Sequence, residues 1–140
     1  MHLAPGYVLG IGSNLDPQRN ARRIVGHLRQ RFGEILLSRF HVTEPVGMES
    51  QRPFVNFCAF VPTGLEPAAC KADCIAIELA LGRDREHPAS KTRDRPADID
   101  LLLHIRADGG RIELEPIPSY LAEPAAEIMA QLGWREAPPG

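Results

Sequence analysis

"RDRPADIDLLLHI", residues 93–105, opens with charge and a proline, alternates acid with aliphatic, and closes on an apolar run. Side chains two apart on a strand share a face. Asp98 and Asp100 therefore stand side by side at the mouth of the strand, roughly 6–7 Å apart along the backbone, with Ile99 turned the other way. Leu101, Leu102 and Leu103 then carry the strand into a core. Two carboxylates this close repel each other unless something positive lies between them.

Upstream, five elements follow in order. "GYVLGIGSN" is a short β-type run that ends at glycines and Asn14. In "LDPQRNARRIVGHLRQRFG", Asp16 stands at an N-cap, Pro17 at the first helical position and Gly33 at the stop. Ala21, Ile24, Val25, Leu28 and Phe32 keep helical spacing between them. "EILLSRFHVTEPVG" reads as one strand stopped by Pro45 and Gly47, and "PFVNFCAFVPTG" as a strand buried on both faces. "LEPAACKADCIAIELALGR" is a second helix, predicted to bury Leu65, Ala68, Ala72, Ile75 and Leu79 and to end at Gly82. The opening stretch is the fourth strand. "GGRIELEPIP" adds a short edge piece, "SYLAEPAAEIMAQLGW" a last helix around Pro124, and "REAPPG" a tail. The order β-α-β-β-α-β is the split βαβ, ferredoxin-like pattern, an α+β fold with an antiparallel sheet and two helices on one face. With no internal repeat and no long linker, residues 1–140 are expected to form one domain. The pattern hosts many activities and selects none of them.

An apolar content of 44% supports a core, while 24% charged residues and a net charge of −2 give no bulk attraction to nucleic acid or membrane. Aromatic residues are 6%, and no strand shows the paired exposed aromatics of an RNA reader. Cys58, Cys70 and Cys74 lack zinc-like spacing and read as reduced core residues. No signal segment or membrane-length apolar run is present. A cytoplasmic monomer acting on small molecules is the expectation.

A D-x-D pair by itself is equally the mark of two solvated acids on an edge strand. Its neighbours change its weight. Arg83, Arg85, Lys91, Arg93 and Arg95 stand among Asp84, Glu86 and Asp94 in a stretch without apolar pattern. Such a stretch is either a solvated loop of local ion pairs or a cationic lid, about residues 83–97, over the acids. Carboxylates to hold Mg²⁺ and arginines to clamp phosphate oxygens are the parts of a phosphoryl-transfer site. "GIGSN" lacks the Lys-Ser/Thr of a P-loop and the third glycine of a dinucleotide turn, so Gly10 and Gly12 instead allow close backbone approach. Phe54 and Asn56 share a strand face, an aromatic and an amide suited to a flat, hydrogen-bonding heterocycle or to an ordinary half-buried strand. The five histidines are scattered and read as structural.

"GIGSNL", "TEPVG", "QRPFVNFCAFVPTGLEP", "IELALGRDR" and "RPADIDLLL", in register from about residue 6 to 104, resemble the 6-hydroxymethyl-7,8-dihydropterin pyrophosphokinase family of folate biosynthesis. The resemblance implies a ferredoxin-like core and transfer of the β,γ-diphosphate of ATP to the pterin hydroxymethyl group, with release of AMP. It implies two Mg²⁺ ions at Asp98 and Asp100, with Arg83 and Arg95 in the catalytic set. It places Thr43, Val46, Phe54 and Asn56 on the pterin side. Gln51, Glu78, Arg85, Arg95, Leu101 and Tyr120 fall near the nucleotide or on the lid, and Asn14 on the G-S-N turn.

The chain also departs from the family pattern. The lid reads "ASKTRDR" without its usual tryptophan, Ser119 follows Pro118 where histidine is usual, and residues 117–140 lack the family's arginine and pterin-stacking phenylalanine. Trp134 is the candidate substitute for that ring. Two alternatives therefore stay open: a related kinase with another heterocyclic alcohol as acceptor, or a non-catalytic nucleotide- or pterin-binding module on the same scaffold.

Overall fold

The computed structural model describes residues 4–44, 52–84 and 94–136, the last three as backbone only. Strands β1 (Gly6–Ser13), β2 (Leu36–Leu37), β3 (His41–Thr43), β4 (Phe54–Pro62), β5 (Asp98–Ile105) and β6 (Arg111–Glu113) form one sheet. Helices α1 (Pro17–Phe32) and α2 (Pro67–Ala80) are followed late in the chain by a 3₁₀ turn (Ser119–Leu121) and α3 (Ala122–Glu136). The sheet runs β2-β4-β1-β5-β6 with every neighbouring pair antiparallel, and β3 continues along β4. β4 thus separates β1 from the strand after α1, and β1 separates β4 from the strand after α2. This is the ferredoxin-like order that the sequence predicts.

Helix α1 forms as its spacing requires, burying Ala21, Ile24, Val25 and Leu28. Asp16 does stand at its N-cap, but its side chain makes no capping bond. Gly33 ends the helix at φ 82°, a conformation that favours glycine. Together with α2, this helix covers Tyr7, Leu9 and Ile11 of β1, Val55, Phe57, Ala59 and Val61 of β4, and Ile99 and Leu101 of β5.

Three sequence expectations need correction. Helix α2 buries Cys70, Cys74, Ile77 and Leu81, whereas Ala68, Ala72 and Leu79 are exposed and Leu65 and Ile75 are half-buried. Both stripes repeat at helical spacing, and the choice falls to the one that also carries Glu78 toward β5. The segment read as a single strand through residues 34–47 breaks after Leu37, and its Pro45–Gly47 end lies outside the described residues. The last helix adds a layer that the two-helix pattern does not contain. Its Ala125, Ile128 and Leu132 pack with Leu121 against Val8, Cys58, Phe60, Leu102 and Ile105, a second core on the opposite face of the sheet.

Strand β5 serves both cores by alternation, and a register slip against β1 shifts which residues face each of them. Val8 faces Leu103 but Leu9 faces Leu101, so Leu102 is the extra residue of a bulge. On one side of the bulge, Asp98, Asp100 and Leu102 share the α3 face; beyond it, Leu103 and Ile105 do.

Because α3 closes a full core layer, Ile128→Ala is expected to cost about 2–5 kcal/mol. Urea unfolding measures it, and a loss within experimental error would show that this helix contributes no core.

Candidate functional site

The α3 face is only partly covered. Leu121 reaches over Gly10, where an added Cβ would meet its Cδ1 at 2.6 Å. One row further along the strands, Gly12 pairs with Asn56 on one side and with Asp98 on the other. A Cβ there would meet Asn56 Oδ1 at 2.6 Å and the Phe54 ring at 3.3 Å. The two glycines thus add no side chains of their own between an amide–aromatic wall on β4 and an acid pair on β5, and Leu121, Asn56 and Phe54 lean over them.

The acids face different neighbours. Asp98 Oδ1 accepts from Arg83 Nη1 at 3.2 Å, and its Oδ2 accepts from Arg95 Nη1 at 3.2 Å. Both arginines are buried, at 6% and 8% exposure, so they form the bed of the site and not a solvated loop. Arg83 Nη1 also donates to the Ala97 carbonyl at 2.9 Å and lies 3.6 Å from Glu78 Oε2. Among the described residues, Asp100 is ion-paired with Lys71, at 3.4 Å. Burial first, and then the Asp98 charge, push the Asp100 carboxyl above the ordinary aspartate range, with Lys71 opposing. Burial also lowers the Arg95 guanidinium from its usual value; Asp98 opposes this and Arg83 adds to it.

The outer edge of β5 explains how the pair is held. Among the described residues, Ile99 has no strand neighbour on that side. Its N–H donates to Glu78 Oε2 at 2.7 Å, and its carbonyl accepts from Lys71 Nζ at 2.7 Å. Two side chains seven residues apart on α2, two helical turns, replace the missing ladder partner.

Asn14 does more than turn the chain. Its N–H donates to the Arg95 carbonyl at 3.1 Å and its Oδ1 accepts from the Arg95 N–H at 2.7 Å, while its Nδ2 donates to Asp94 at 2.8 Å. The predicted lid, residues 83–97, is thereby corrected at both ends: 83–84 and 94–97 are anchored, and residues 85–93 lie outside the described set.

Of the other predicted site residues, Thr43 and Asn56 meet directly, the Asn56 amide donating to the Thr43 hydroxyl. Phe54 lies beside them with the Arg95 guanidinium carbon 5.8 Å from its ring centroid. Tyr120 arrives on the 3₁₀ turn. Burial, then the charges of Asp98 and Asp100, raise its phenol above the usual value, and Arg95 opposes them. Glu78 is fully buried behind β5, and the Leu101 side chain packs in the α1–α2 core, leaving only its main chain to face a ligand. Val46, Gln51 and Arg85 lie outside the described residues, as does the Trp134 side chain. Sequence reasoning missed Lys71, whose signal was its helical spacing to Glu78.

The sequence matches the family described as 7,8-dihydro-6-hydroxymethylpterin-pyrophosphokinase over residues 8–131. Relatives carry the name 2-amino-4-hydroxy-6-hydroxymethyldihydropteridine pyrophosphokinase. One from Porphyromonas gingivalis is 40% identical over 69% of this chain and 67% of its own. One from Bacillus subtilis is 32% identical over 89% of this chain and 78% of its own. A third, from Methylorubrum extorquens, is 30% identical over 89% and 82%. The chain belongs to this pyrophosphokinase family. The match runs to residue 131, so it includes most of the segment that departs from the family's usual C-terminal motifs.

A carboxyl whose folded pKa is raised binds its proton more readily in the native state, so native stability falls as pH rises through that raised value. Asp100→Asn is therefore expected to raise the Tm of the ligand-free protein by a few degrees at neutral pH. The gain should shrink as the pH falls into the range where Asp100 itself is protonated. Thermal melts across pH test this, and a lower Tm for the variant at neutral pH would contradict the assigned repulsion.

Proposed function

We propose that the floor between Asp98–Asp100 and Thr43–Asn56–Phe54 is where this chain transfers the diphosphate of ATP to the hydroxymethyl group of 6-hydroxymethyl-7,8-dihydropterin. Membership of the family makes the chain a pyrophosphokinase of folate biosynthesis with ATP as co-substrate. The observation that carries the placement is the row Asn56–Gly12–Asp98, in which a glycine separates a hydrogen-bonding wall from an acid pair on one face, with the Arg95 guanidinium reaching both Asp98 and the Phe54 ring.

The acceptor oxygen attacks the β-phosphorus of ATP, the bond to the α-phosphate oxygen breaks, AMP leaves, and the hydroxyl proton is lost. Such a transfer depends on positioning and charge neutralisation more than on a strong base. Thr43 and Asn56 would orient the pterin through hydrogen bonds, with Phe54 along its ring, and the family resemblance adds Val46 to this side. Arg83 and Arg95, with Arg85 from the neighbouring segment, supply cationic character for the phosphates. Tyr120 and the Leu101 main chain would bound the nucleotide side, to which the family resemblance also assigns Gln51, and Glu78 holds β5 through the Ile99 amide.

Two half-exposed carboxylates on one face suit Mg²⁺, which keeps water and takes one or two carboxylates plus substrate phosphates. Among the described residues no group of three or more His, Cys, Asp or Glu side chains could hold a metal, so phosphate oxygens and water would complete the shell. Asp98 and Asp100 would hold two such ions, whose charge would neutralise the triphosphate. Among those residues no helix is long and apolar enough to cross a membrane. Free Cys58, Cys70 and Cys74 accord with a reducing cytoplasm, and we place the enzyme there as a monomer without nucleic-acid partners.

Incubation with ATP, Mg²⁺ and the reduced pterin should release AMP, and Asp98→Ala should abolish it. Thr43→Val and Asn56→Ala should each raise the pterin KM roughly tenfold, with the ATP KM little changed. No AMP at high enzyme concentration, or turnover only with a different alcohol, would reject this acceptor.

A further inference from the structure

The break between β2 and β3 has a chemical consequence for the wall of the site. Leu36 pairs with Phe60 and Leu37 with Ala59, but His41 pairs with Asn56 and Thr43 with Phe54. The register slips by one residue between Leu37 and His41. A slip of one residue exchanges the two faces of a strand. Without it, Phe40 and Val42 would point to the α3 face. With it, the Phe40 ring lies 4.4 Å from that of Phe57 in the other core, and His41 and Thr43 take the α3 side.

Two groups of bonds hold the slip. Ser38 donates its N–H to the Cys58 carbonyl at 2.9 Å, and its hydroxyl accepts the Cys58 N–H at 2.8 Å while donating to the Arg39 carbonyl at 2.9 Å. Glu127 of α3 gathers the rest. Its Oε1 accepts from the Arg39 N–H and from Arg39 Nε, each at 3.1 Å, and its Oε2 lies 2.8 Å from His41 Nε2. Burial alone would raise this carboxyl. The Arg39 amide, the His41 ring and the Arg39 guanidinium together hold it below the ordinary glutamate value. Four residues later, Gln131 donates to the Leu37 carbonyl at 2.9 Å, so α3 grips both sides of the slip.

We propose that Glu127 is a positioning residue: with Ser38 it locks the β2–β3 bulge, and thereby turns the Thr43 hydroxyl onto Asn56 in the acceptor wall. The C-terminal helix sets the shape of the acceptor pocket without touching the acceptor. The kinetic part of this inference rests on the acceptor site proposed above, whereas the facing of Thr43 does not.

The test compares Glu127→Ala, Glu127→Gln and Ser38→Ala with the parent protein, reading pterin KM, ATP KM, Tm and the NMR contact between the Thr43 methyl and the Asn56 amide. Glu127→Ala is expected to lose the contact and raise the pterin KM roughly ten- to a hundredfold, the scale of misplacing a substrate-orienting group, with the ATP KM nearly unchanged. Glu127→Gln still accepts from Arg39 and should lie between Glu127→Ala and the parent. Ser38→Ala should reproduce the lost contact; should it fail to fold, the exchange at Glu127 still decides. Retention of the Thr43–Asn56 contact in Glu127→Ala overturns the proposal, as does an equal rise in both KM values tracking a fall in Tm. Loss of the contact with an unchanged pterin KM would instead move the acceptor away from Thr43, leaving the role of Glu127 in the bulge intact.

Discussion

The carboxylate of Asp98 lies between two buried guanidiniums, and the geometry of the open face follows from how that arrangement is kept. A buried guanidinium is costly unless its charge and its N–H groups are met. Arg83 meets Ala97 and Asp98 and lies close to Glu78, while Arg95 meets Asp98 and is fixed through its main chain by Asn14. Arg83, Arg95 and Lys71 balance Glu78, Asp98 and Asp100 in number, three cations for three anions. The balance is uneven in space. Asp98 has both guanidiniums, and Asp100 has one half-exposed ammonium. Among the described residues, the second acid is thus the one with less positive charge in direct contact.

The position of the pair in the sheet reinforces this. β5 is paired with β6 only from Leu103 onward, so at Ile99 it is an edge. Exposed edges invite pairing with other chains, and natural sheets cover or charge them. Here Lys71 and Glu78 cover it with side chains and set the backbone on either side of which the acids project. The same two residues thereby do structural and electrostatic work: Lys71 caps a carbonyl and faces Asp100, and Glu78 caps an amide and lies beside Arg83. Edge protection and charge placement are one device.

Much of this was legible in the sequence because it depends on local period. The D-x-D spacing, the glycines of β1 and the alternation of β4 all report which side chains share a face, and the strand order followed from element order. What escaped depends on partners far along the chain. The β2–β3 slip needs Cys58, Glu127 and Gln131, between 20 and 94 residues from the groups they bond. Helix α2 offered two apolar stripes, and the polar partners of Ile99 on another element decided between them. The arginines read as loop cations because their local neighbours are charged and polar; Arg95 is anchored by Asn14, 81 residues away in sequence, and both arginines by Asp98 on the strand they precede. Helix α3 lies outside the split βαβ pattern and its first turn carries a proline, so its period alone did not show that Ala125, Ile128 and Leu132 close the second face of the sheet.

The site's two halves are coupled through one residue. Arg95 holds Asp98 on the acid side and lies over the Phe54 ring on the wall opposite, so the same guanidinium contacts the groups assigned to both substrates. Burial already lowers its pKa, and Asp98 is the largest influence keeping it charged. A ligand anion that competes with Asp98 for Arg95 must therefore also change what lies against Phe54, since one planar group cannot stay fixed to both while turning toward a third. Ring and guanidinium attract through the ring's quadrupole, an interaction that strengthens when water is excluded. Arg95 thus links the Asp98 side of the face to the Phe54 side through contacts already present in the ligand-free protein.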